Sequence, residues 1–223
     1  NCVAFSLEGA DGEMGFPGNK KIEVTYFLTE ENELKIHYHG TSDKNTIINL
    51  TNHTYFNLAG HDAGAINDHI LTLHASGYTP VAEGAIPTGE IAPVKGTPMD
   101  FTSPKRIGDE IDADFEQLKL TGGYDHNWVL DGEAGTLRHI ATVEEPSSGR
   151  VMKAYTDLPG VQFYAGNSLK PETGKNGAAY DYRFGLCLET QYYPDTANQP
   201  AFPSAVFGPE REYDSTTIYK FEV

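Results

Sequence analysis

Basic residues and cysteines are scarce in this chain of 223 residues. It holds 16 Lys and Arg against 32 Asp and Glu, which gives a formal net charge of -16. Nucleic acids and anionic membrane surfaces attract basic patches, so we expect neither to be a partner. Two cysteines form no disulfide framework, and Cys187, inside an apolar run, is predicted to be a buried free thiol. Free thiols are typical of a reducing compartment, which predicts a cytoplasmic location.

Long apolar runs and helical periodicity are also lacking. No stretch reaches the roughly 18 apolar residues that a membrane-spanning helix requires. No secretion signal is visible, and the chain begins at Asn1 without an initiator methionine. Only residues 57–60 and 102–107 are predicted to form short helical turns.

Strand patterns dominate what is present. Residues 21–28 and 34–40 flank a polar turn, and together they predict a β-hairpin. Further strands are predicted at 45–54, 69–73, 128–130, 138–143, 151–156, 160–164, 185–191 and 217–221. The chain also carries 13 Tyr and 11 Phe, residues that favour strands. The sequence therefore predicts an all-β protein, with one large antiparallel β-sandwich domain over residues 1–223.

The stretch TNHTYFNLAG at 51–60 places a histidine inside a predicted strand. His53 has hydrogen-bonding neighbours on both sides, Tyr55 among them, and this density is unusual beside apolar strand residues. A structural role and a catalytic role both remain open on these residues alone. His37 and His39 give the contrast, because their alternation places both on one wet face, and two ligands on one strand do not complete a metal site.

Two later clusters combine aromatic and hydrogen-bonding side chains. The stretch GGYDHNW at 122–128 brings Asp125 and His126 beside the chain's only tryptophan, a composition that suits sugar rings and their hydroxyls. In PGVQFYAGN at 159–167, alternation places Gln162 on the polar face of a strand. A turn followed by a strand explains the first cluster as well, and a half-buried strand explains the second.

The stretch CLETQ at 187–191 places a carboxylate at the end of an apolar run. Burying Glu189 would be costly unless it is paired or used, and partial burial would raise the pKa of its carboxyl group. A carboxylate tuned in this way suits general-base catalysis near neutral pH. The alternative is a surface-facing residue at a strand end.

In this order, the motifs NHTYFNLAG, GYDHN, PGVQFYAGN and CLETQ resemble the aldose 1-epimerase (galactose mutarotase) family, as does NQPAFP at 198–203. The likeness extends over the whole chain. It implies a large antiparallel β-sandwich with an open sugar cleft and no metal, nucleotide or other cofactor. It also implies an isomerase that interconverts the α and β anomers of free aldohexoses such as glucose and galactose.

The resemblance also implies roles for individual residues. By motif, Glu189 is the base that takes the proton from the anomeric hydroxyl, and His53 is the acid that protonates the ring oxygen. Asp125 and Gln162 match positions that bind sugar hydroxyls. Tyr55 and His126 lie within the same motifs and are assigned to sugar binding as well.

One family motif is missing from this chain. The family carries an upstream N-x-L-H-G-G motif, whose histidine helps to bind the sugar, and an arginine that precedes it; neither motif occurs here. We therefore expect that the N-terminal part of the sandwich is absent, or is supplied by a separate chain or segment. The remaining strands would leave open edges, so we expect these 223 residues alone to be unstable or to aggregate.

Two other functions remain open from the sequence. A non-catalytic sugar-binding module, or an inactive mutarotase fragment, would keep the cleft without turnover. A glycoside hydrolase would use Asp125 and Glu189 as its carboxylate pair. The pairing of Glu189 with His53 argues against the hydrolase, and the residues do not distinguish glucose from galactose.

Overall fold

The regular structure of the protein is almost entirely β in the computed structural model, which describes residues 1–223. In chain order the strands are β1 (Cys2–Gly9), β2 (Lys20–Leu28), β3 (Glu33–Ser42), β4 (Thr46–Ile47), β5 (Ile70–Leu73), β6 (Gly77–Thr79), β7 (Ala92–Pro93), β8 (Lys105–Arg106), β9 (Asp125–Val129), β10 (Arg138–Glu145), β11 (Arg150–Thr156), β12 (Gly160–Tyr164), β13 (Glu172–Thr173), β14 (Ala179–Tyr180), β15 (Cys187–Gln191), β16 (Val206–Phe207) and β17 (Tyr213–Glu222). The one α-helix, α1, is Glu116–Thr121, and 3-10 turns lie at Glu13–Gly15, Ile66–Asp68, Ile107–Asp109 and Lys175–Gly177. None of the helices is long and apolar enough to cross a membrane.

The larger sheet has eight antiparallel strands in the order β1-β2-β3-β17-β11-β10-β5-β8. The predicted hairpin is confirmed as β2 and β3, which pair from Lys20 and Ser42 at one end to Leu28 and Leu34 at the turn. Alternation along β3 buries Ile36 and Tyr38. His37 and His39 therefore lie on the wetter face, as the sequence predicts.

The second sheet has five strands in the order β15-β12-β9-β6-β7 and carries the sequence motifs. A cluster of 33 buried apolar residues takes side chains from both sheets, with Tyr38 and Leu71 from the first and Trp128 and Phe163 from the second. Two sheets that share one core are the architecture of a sandwich. The predicted antiparallel β-sandwich is therefore confirmed.

The predicted strand at 45–54 is largely wrong. Only Thr46–Ile47 is a strand there, and it pairs with Val206–Phe207. The asparagines that follow direct their side chains to distant partners: Asn49 Nδ2 donates to the backbone oxygen of Tyr192, and Asn52 Nδ2 donates to the hydroxyl of Tyr219. These contacts hold the segment in an irregular path, so His53 lies outside any strand.

The predicted helical turns are confirmed only in part. Residues 57–60 form a hydrogen-bonded turn that Gly60 N closes onto Asn57 O. Residues 105 and 106 of the second predicted turn form strand β8, which pairs with β5. The helix α1 was not predicted, because its six residues are too short for a helical period to be recognised.

One edge of the larger sheet is apolar and exposed. Strand β1 pairs only with β2. On one of its faces the exposed fractions of the side chains are 50% for Val3, 61% for Phe5 and 69% for Leu7. An open strand edge that carries exposed apolar side chains is a template for association with other chains.

Candidate active site

The candidate site lies on the outward face of the five-stranded sheet. Alternation along β15, β12 and β9 directs Glu189, Gln162 and Asp125 to the same side, because residues two apart on a strand share a face. The register places Gln162 opposite Glu189 and Tyr164 opposite Asp125. The neighbouring residues of each strand, such as Leu188 and Phe163, enter the core.

His53 reaches this face from the irregular segment that precedes it. Its Nε2 atom lies 3.6 Å from Oε1 of Glu189. Its ring stacks on Tyr55, with 4.9 Å between the ring centroids, and meets Tyr164 edge-on. The side chain of His53 is 50% exposed and that of Glu189 only 13%. The pair therefore has a mostly buried carboxylate at its base and an imidazole that borders solvent.

These side chains border a polar cleft of about 340 Å³, within the range of small-molecule sites. Its lining residues are His53, Tyr55, Asp125, Gln162, Tyr164, Glu189, Gln191 and Pro194. A larger cavity of about 560 Å³ also borders Tyr55, but its walls are mainly apolar, with Phe56, Leu58 and Phe184 among them. A polyhydroxylated ligand requires hydrogen-bonding partners, so the smaller polar cleft is the better candidate for a sugar.

A chain of amide hydrogen bonds crosses the floor of the cleft. Gln162 Nε2 donates to Oδ1 of Asp125 over 2.8 Å. Gln191 Nε2 donates to Oε1 of Gln162 over 3.3 Å. The remaining donors and acceptors of these groups form a fixed array on which hydroxyl groups can pair.

Burial dominates the electrostatics of the two carboxyl groups. It raises the pKa of Glu189 from the ordinary 4.5 to about 7, with nearby His53 opposing the rise and Asp125 adding to it. It also raises the pKa of Asp125, against the hydrogen bond that Gln162 donates. The rise expected for Glu189 from its sequence context is therefore confirmed. A carboxyl group with a pKa near neutrality accepts and returns a proton readily at physiological pH.

Cys187 is a neighbour of the site that the sequence reasoning did not assign. It is a buried free thiol, as predicted. Its Sγ atom lies 3.3 Å from Nδ1 of His53, and burial raises the pKa of the thiol far above its ordinary value. The protonated thiol therefore contacts one imidazole nitrogen while the other faces Glu189. The sequence signal that could have identified Cys187 was its spacing from Glu189, because residues two apart on a strand lie on the same face.

Tyr164 and Gln191 were also missed. Both line the cleft, and the same alternation would have found them, since each is two residues from an assigned residue on its own strand. The structure thus brings together His53, Glu189, Asp125, Gln162 and Tyr55 as the sequence predicts.

His126 does not belong to this cleft. It follows Asp125 on β9 and so points to the opposite face of the sheet, where it is fully buried beside Tyr78 and Trp128. Its Nε2 atom has no hydrogen-bond partner, and burial lowers the pKa of its ring to about 4. The expectation that His126 binds the sugar is therefore wrong, because a side chain in the core cannot reach the cleft.

The chain is similar to known proteins over its full length. The family model described as aldose 1-epimerase matches residues 1–220. Galactose mutarotase from Homo sapiens is 48% identical over 224 aligned residues, which cover 100% of this chain and 64% of that protein. Aldose 1-epimerase from Escherichia coli (strain K12) is 39% identical over 221 residues, covering 98% of this chain and 63% of that protein.

Solved structures share the fold. An aldose epimerase homologue from C. elegans superimposes with a TM-score of 0.84 and 29% identity, over 99% of this chain and 65% of that one. Galactose 1-epimerase from Lactobacillus acidophilus NCFM gives a TM-score of 0.83 and 31% identity, over 99% of this chain and 62% of that one. The chain thus spans about 64% of the length of the curated relatives that it matches first. Because the family model matches nearly every residue, the chain belongs to the aldose 1-epimerase family.

Proposed function

We propose that the protein interconverts the α and β anomers of free aldohexoses by acid–base ring opening and closure. One observation carries the proposal: Oε1 of Glu189 and Nε2 of His53 face each other over 3.6 Å in a polar cleft. A hemiacetal carries its hydroxyl oxygen and its ring oxygen on the same carbon. One base and one acid side by side are the groups that its opening requires.

The reaction begins with ionised Glu189 and protonated His53. Glu189 takes the proton of the C1 hydroxyl, the freed electron pair forms the C1 carbonyl, and the bond between C1 and the ring oxygen breaks. Nε2 of His53 gives its proton to the departing ring oxygen. Rotation about the C1–C2 bond presents the other face of the aldehyde. Ring closure then returns one proton to His53 and the other to the new C1 oxygen.

The surroundings of the pair suit this exchange. A pKa of about 7 lets Glu189 act as a base and then as an acid near neutral pH. The Sγ atom of Cys187 is placed to accept the Nδ1 hydrogen of protonated His53, which leaves Nε2 as the nitrogen that delivers its proton. Groups positioned in this way contribute on the order of 10²–10⁴-fold each to a rate.

Asp125, Gln162 and Tyr55 are proposed to hold the sugar. Asp125 and Gln162 offer hydrogen bonds to ring hydroxyls from the floor of the cleft. The Tyr55 ring, 46% exposed, offers a face on which the C–H side of a pyranose can stack. The relatives named for galactose suggest galactose as the first sugar to test, with glucose, which differs from it at one hydroxyl, beside it.

Polarimetry of freshly dissolved α-galactose or α-glucose tests the proposal. The protein is expected to speed the approach to anomeric equilibrium, and Glu189→Gln is expected to slow it by about 10²–10⁴-fold. Glu144→Gln, at an exposed carboxylate on β10, is the matched control and should leave the rate unchanged. A rate that Glu189→Gln does not alter would remove Glu189 from its proposed role.

A non-catalytic sugar-binding module is the alternative. It would bind galactose or glucose in calorimetry without speeding mutarotation. The predicted supply of an N-x-L-H-G-G motif by another segment and the predicted cytoplasmic location both stay predictions.

A further inference from the structure

Three side chains of different chemistry converge at the inner end of the cleft. One ligand atom each from His53, Cys187 and Glu189 lie within 4.8 Å of one another. We propose that these residues form a reversible binding site for a thiophilic divalent cation such as Zn²⁺, which blocks the acid–base pair. Binding of the ion would inhibit the proposed anomer exchange, and it is not a step of that reaction.

The donor set favours zinc over the common hard cations. A thiolate, an imidazole and a carboxylate are the three protein ligand types of Zn²⁺, whereas Mg²⁺ and Ca²⁺ prefer oxygen ligands alone. Metal–ligand bonds of about 2.0–2.3 Å in a tetrahedral site place ligand atoms roughly 3.5 Å apart. Sγ of Cys187 is 3.3 Å from Nδ1 of His53 and Oε1 of Glu189 is 3.6 Å from Nε2, and one ion takes only one of these two nitrogens. Because one ligand atom from each residue lies within 4.8 Å of the other two, side-chain rotations that shorten the longer distances by about 1 Å bring three ligands to one ion.

The backbone supports the arrangement. Cys187 and Glu189 project from the same face of β15, which pairs along its whole length with β12. The third ligand, His53, has a half-exposed side chain that can turn towards the ion, and the open side of the cleft leaves a fourth position for water. Two ligands fixed on a strand and one adjustable ligand form a site that needs no backbone rearrangement.

Charge and proton balance are consistent with cation binding. The thiol loses its proton to solvent when the metal–sulfur bond forms, and Glu189 loses any proton that it carries. The metal also bonds to one imidazole nitrogen through its lone pair. Asp125 lies close enough to Glu189 to interact with it electrostatically and adds negative charge beside the ion. The bound ion occupies lone pairs of Glu189 and His53 that proton transfer requires, so it acts as an inhibitor.

Cobalt absorption spectroscopy tests the site without using a sugar. Co²⁺ replaces Zn²⁺ in such sites, and its bond to a thiolate gives a charge-transfer band in the near ultraviolet. Titration of the wild-type protein with Co²⁺ is expected to produce this band at one equivalent, and Zn²⁺ is expected to abolish it. Cys187→Ser should lose the band. Cys2→Ser should keep it, because Cys2 is the only other cysteine and is exposed.

Two results would overturn the inference. One is a folded wild-type protein, checked by circular dichroism, that shows no thiolate band. The other is a band that Cys2→Ser removes and Cys187→Ser keeps, which would mean adventitious binding at Cys2. If Cys187→Ser does not fold, His53→Gln replaces it in the test, because the side chain of His53 is half exposed. This variant should bind Co²⁺ at least tenfold more weakly than the wild type. Unchanged Co²⁺ binding would refute the proposed site.

Polarimetry then separates the metal site from the proposed function. Zn²⁺ at the concentration that displaces Co²⁺ should stop anomer exchange, a chelator should restore it, and Mg²⁺ should have no effect. A protein that shows the thiolate band but no mutarotation would keep the metal site and refute the enzymatic proposal. Mutarotation without the band would refute the metal site alone.

Discussion

The Sγ atom of Cys187 lies 3.3 Å from Nδ1 of His53, while Oε1 of Glu189 lies 3.6 Å from Nε2, the other nitrogen of the ring. The ring is thus held between a thiol and a carboxyl group, with one nitrogen turned to each. Orientation of this kind matters for proton transfer, since a misplacement of about 1 Å can reduce a rate by about 10²-fold.

Replacement of Cys187 tests whether it positions His53. Cys187→Ala removes the contact to Nδ1, so kcat for mutarotation is expected to fall by about ten- to a hundredfold while KM changes little. Cys187→Ser should recover most of the loss, because a hydroxyl both donates and accepts a hydrogen bond. A purely structural cysteine would give equal losses in the two variants, or losses that follow their melting temperatures.

Glu189→Gln is expected to stabilise the protein in a pH-dependent way. The pKa of this carboxyl group is about 7 in the folded protein and about 4.5 when unfolded. Between these values the folded state holds a proton that the unfolded state has lost, so wild-type stability falls as the pH rises through this window. The neutral amide of the Glu189→Gln variant does not ionise, so the variant does not lose this stability as the pH rises. Its advantage in unfolding free energy should be absent below about pH 4.5 and reach about 1–3 kcal/mol near pH 8.

Urea unfolding at several pH values measures this difference. Glu144→Gln is again the control, because that carboxylate is exposed and should give a difference that does not follow the same window. If the gain of Glu189→Gln were the same near pH 4.5 and pH 8, the pKa of Glu189 would not be raised in the folded protein.

His126→Leu is expected to act in the opposite pH range. Burial lowers the pKa of this histidine to about 4, against 6.5 for the free side chain. The unfolded state therefore binds a proton between these values that the folded state does not, and wild-type stability falls as the pH decreases from about 6.5 to 4. Leucine removes that loss, so the variant should resist acid unfolding better by about 1–3 kcal/mol near pH 4.

Sugar affinity provides a second measurement on the same variant. Because His126 lies in the core, away from the cleft, His126→Leu should leave KM within about twofold of the wild type. A large rise in KM without a loss of stability would instead place His126 in the sugar-binding site.

The exposed face of β1 is expected to drive self-association. Val3, Phe5 and Leu7 share one face of this edge strand and are half or more exposed. The double variant Phe5→Lys and Leu7→Lys should shift sedimentation of the chain towards the monomer, because charges on an edge strand oppose pairing. Glu8→Lys, on the other face of the same strand, is the control and should not. A wild-type chain that stays monomeric and melts cooperatively at about 100 µM would refute this prediction.

Local patterns were sufficient for much of the fold. The hairpin of β2 and β3 was predictable because alternation and a polar turn are local signals. The segment after Ile47 was not, because Asn49 and Asn52 bond to residues that are distant in sequence. A strand pattern cannot reveal such contacts, so the structure around His53 was assigned wrongly.

His126 shows the same limit at the scale of a single residue. The sequence placed the start of the strand at 128, but β9 begins at Asp125. Adjacent residues on a strand face opposite sides, so Asp125 and His126 could not both enter the cleft. The motif match assigned both residues to the sugar, because it does not take account of the face of the strand that each residue occupies.

The sequence by itself determined the family and the all-β class, and it indicated the residues proposed as acid and base, because ordered motifs and alternation are properties of the linear chain. Only the tertiary structure decided that His53 meets Glu189, that Cys187 contacts Nδ1 of the imidazole and that His126 enters the core. These facts depend on the register between strands and on the path of an irregular segment. Both are set by contacts between residues far apart in the chain, which local patterns do not encode.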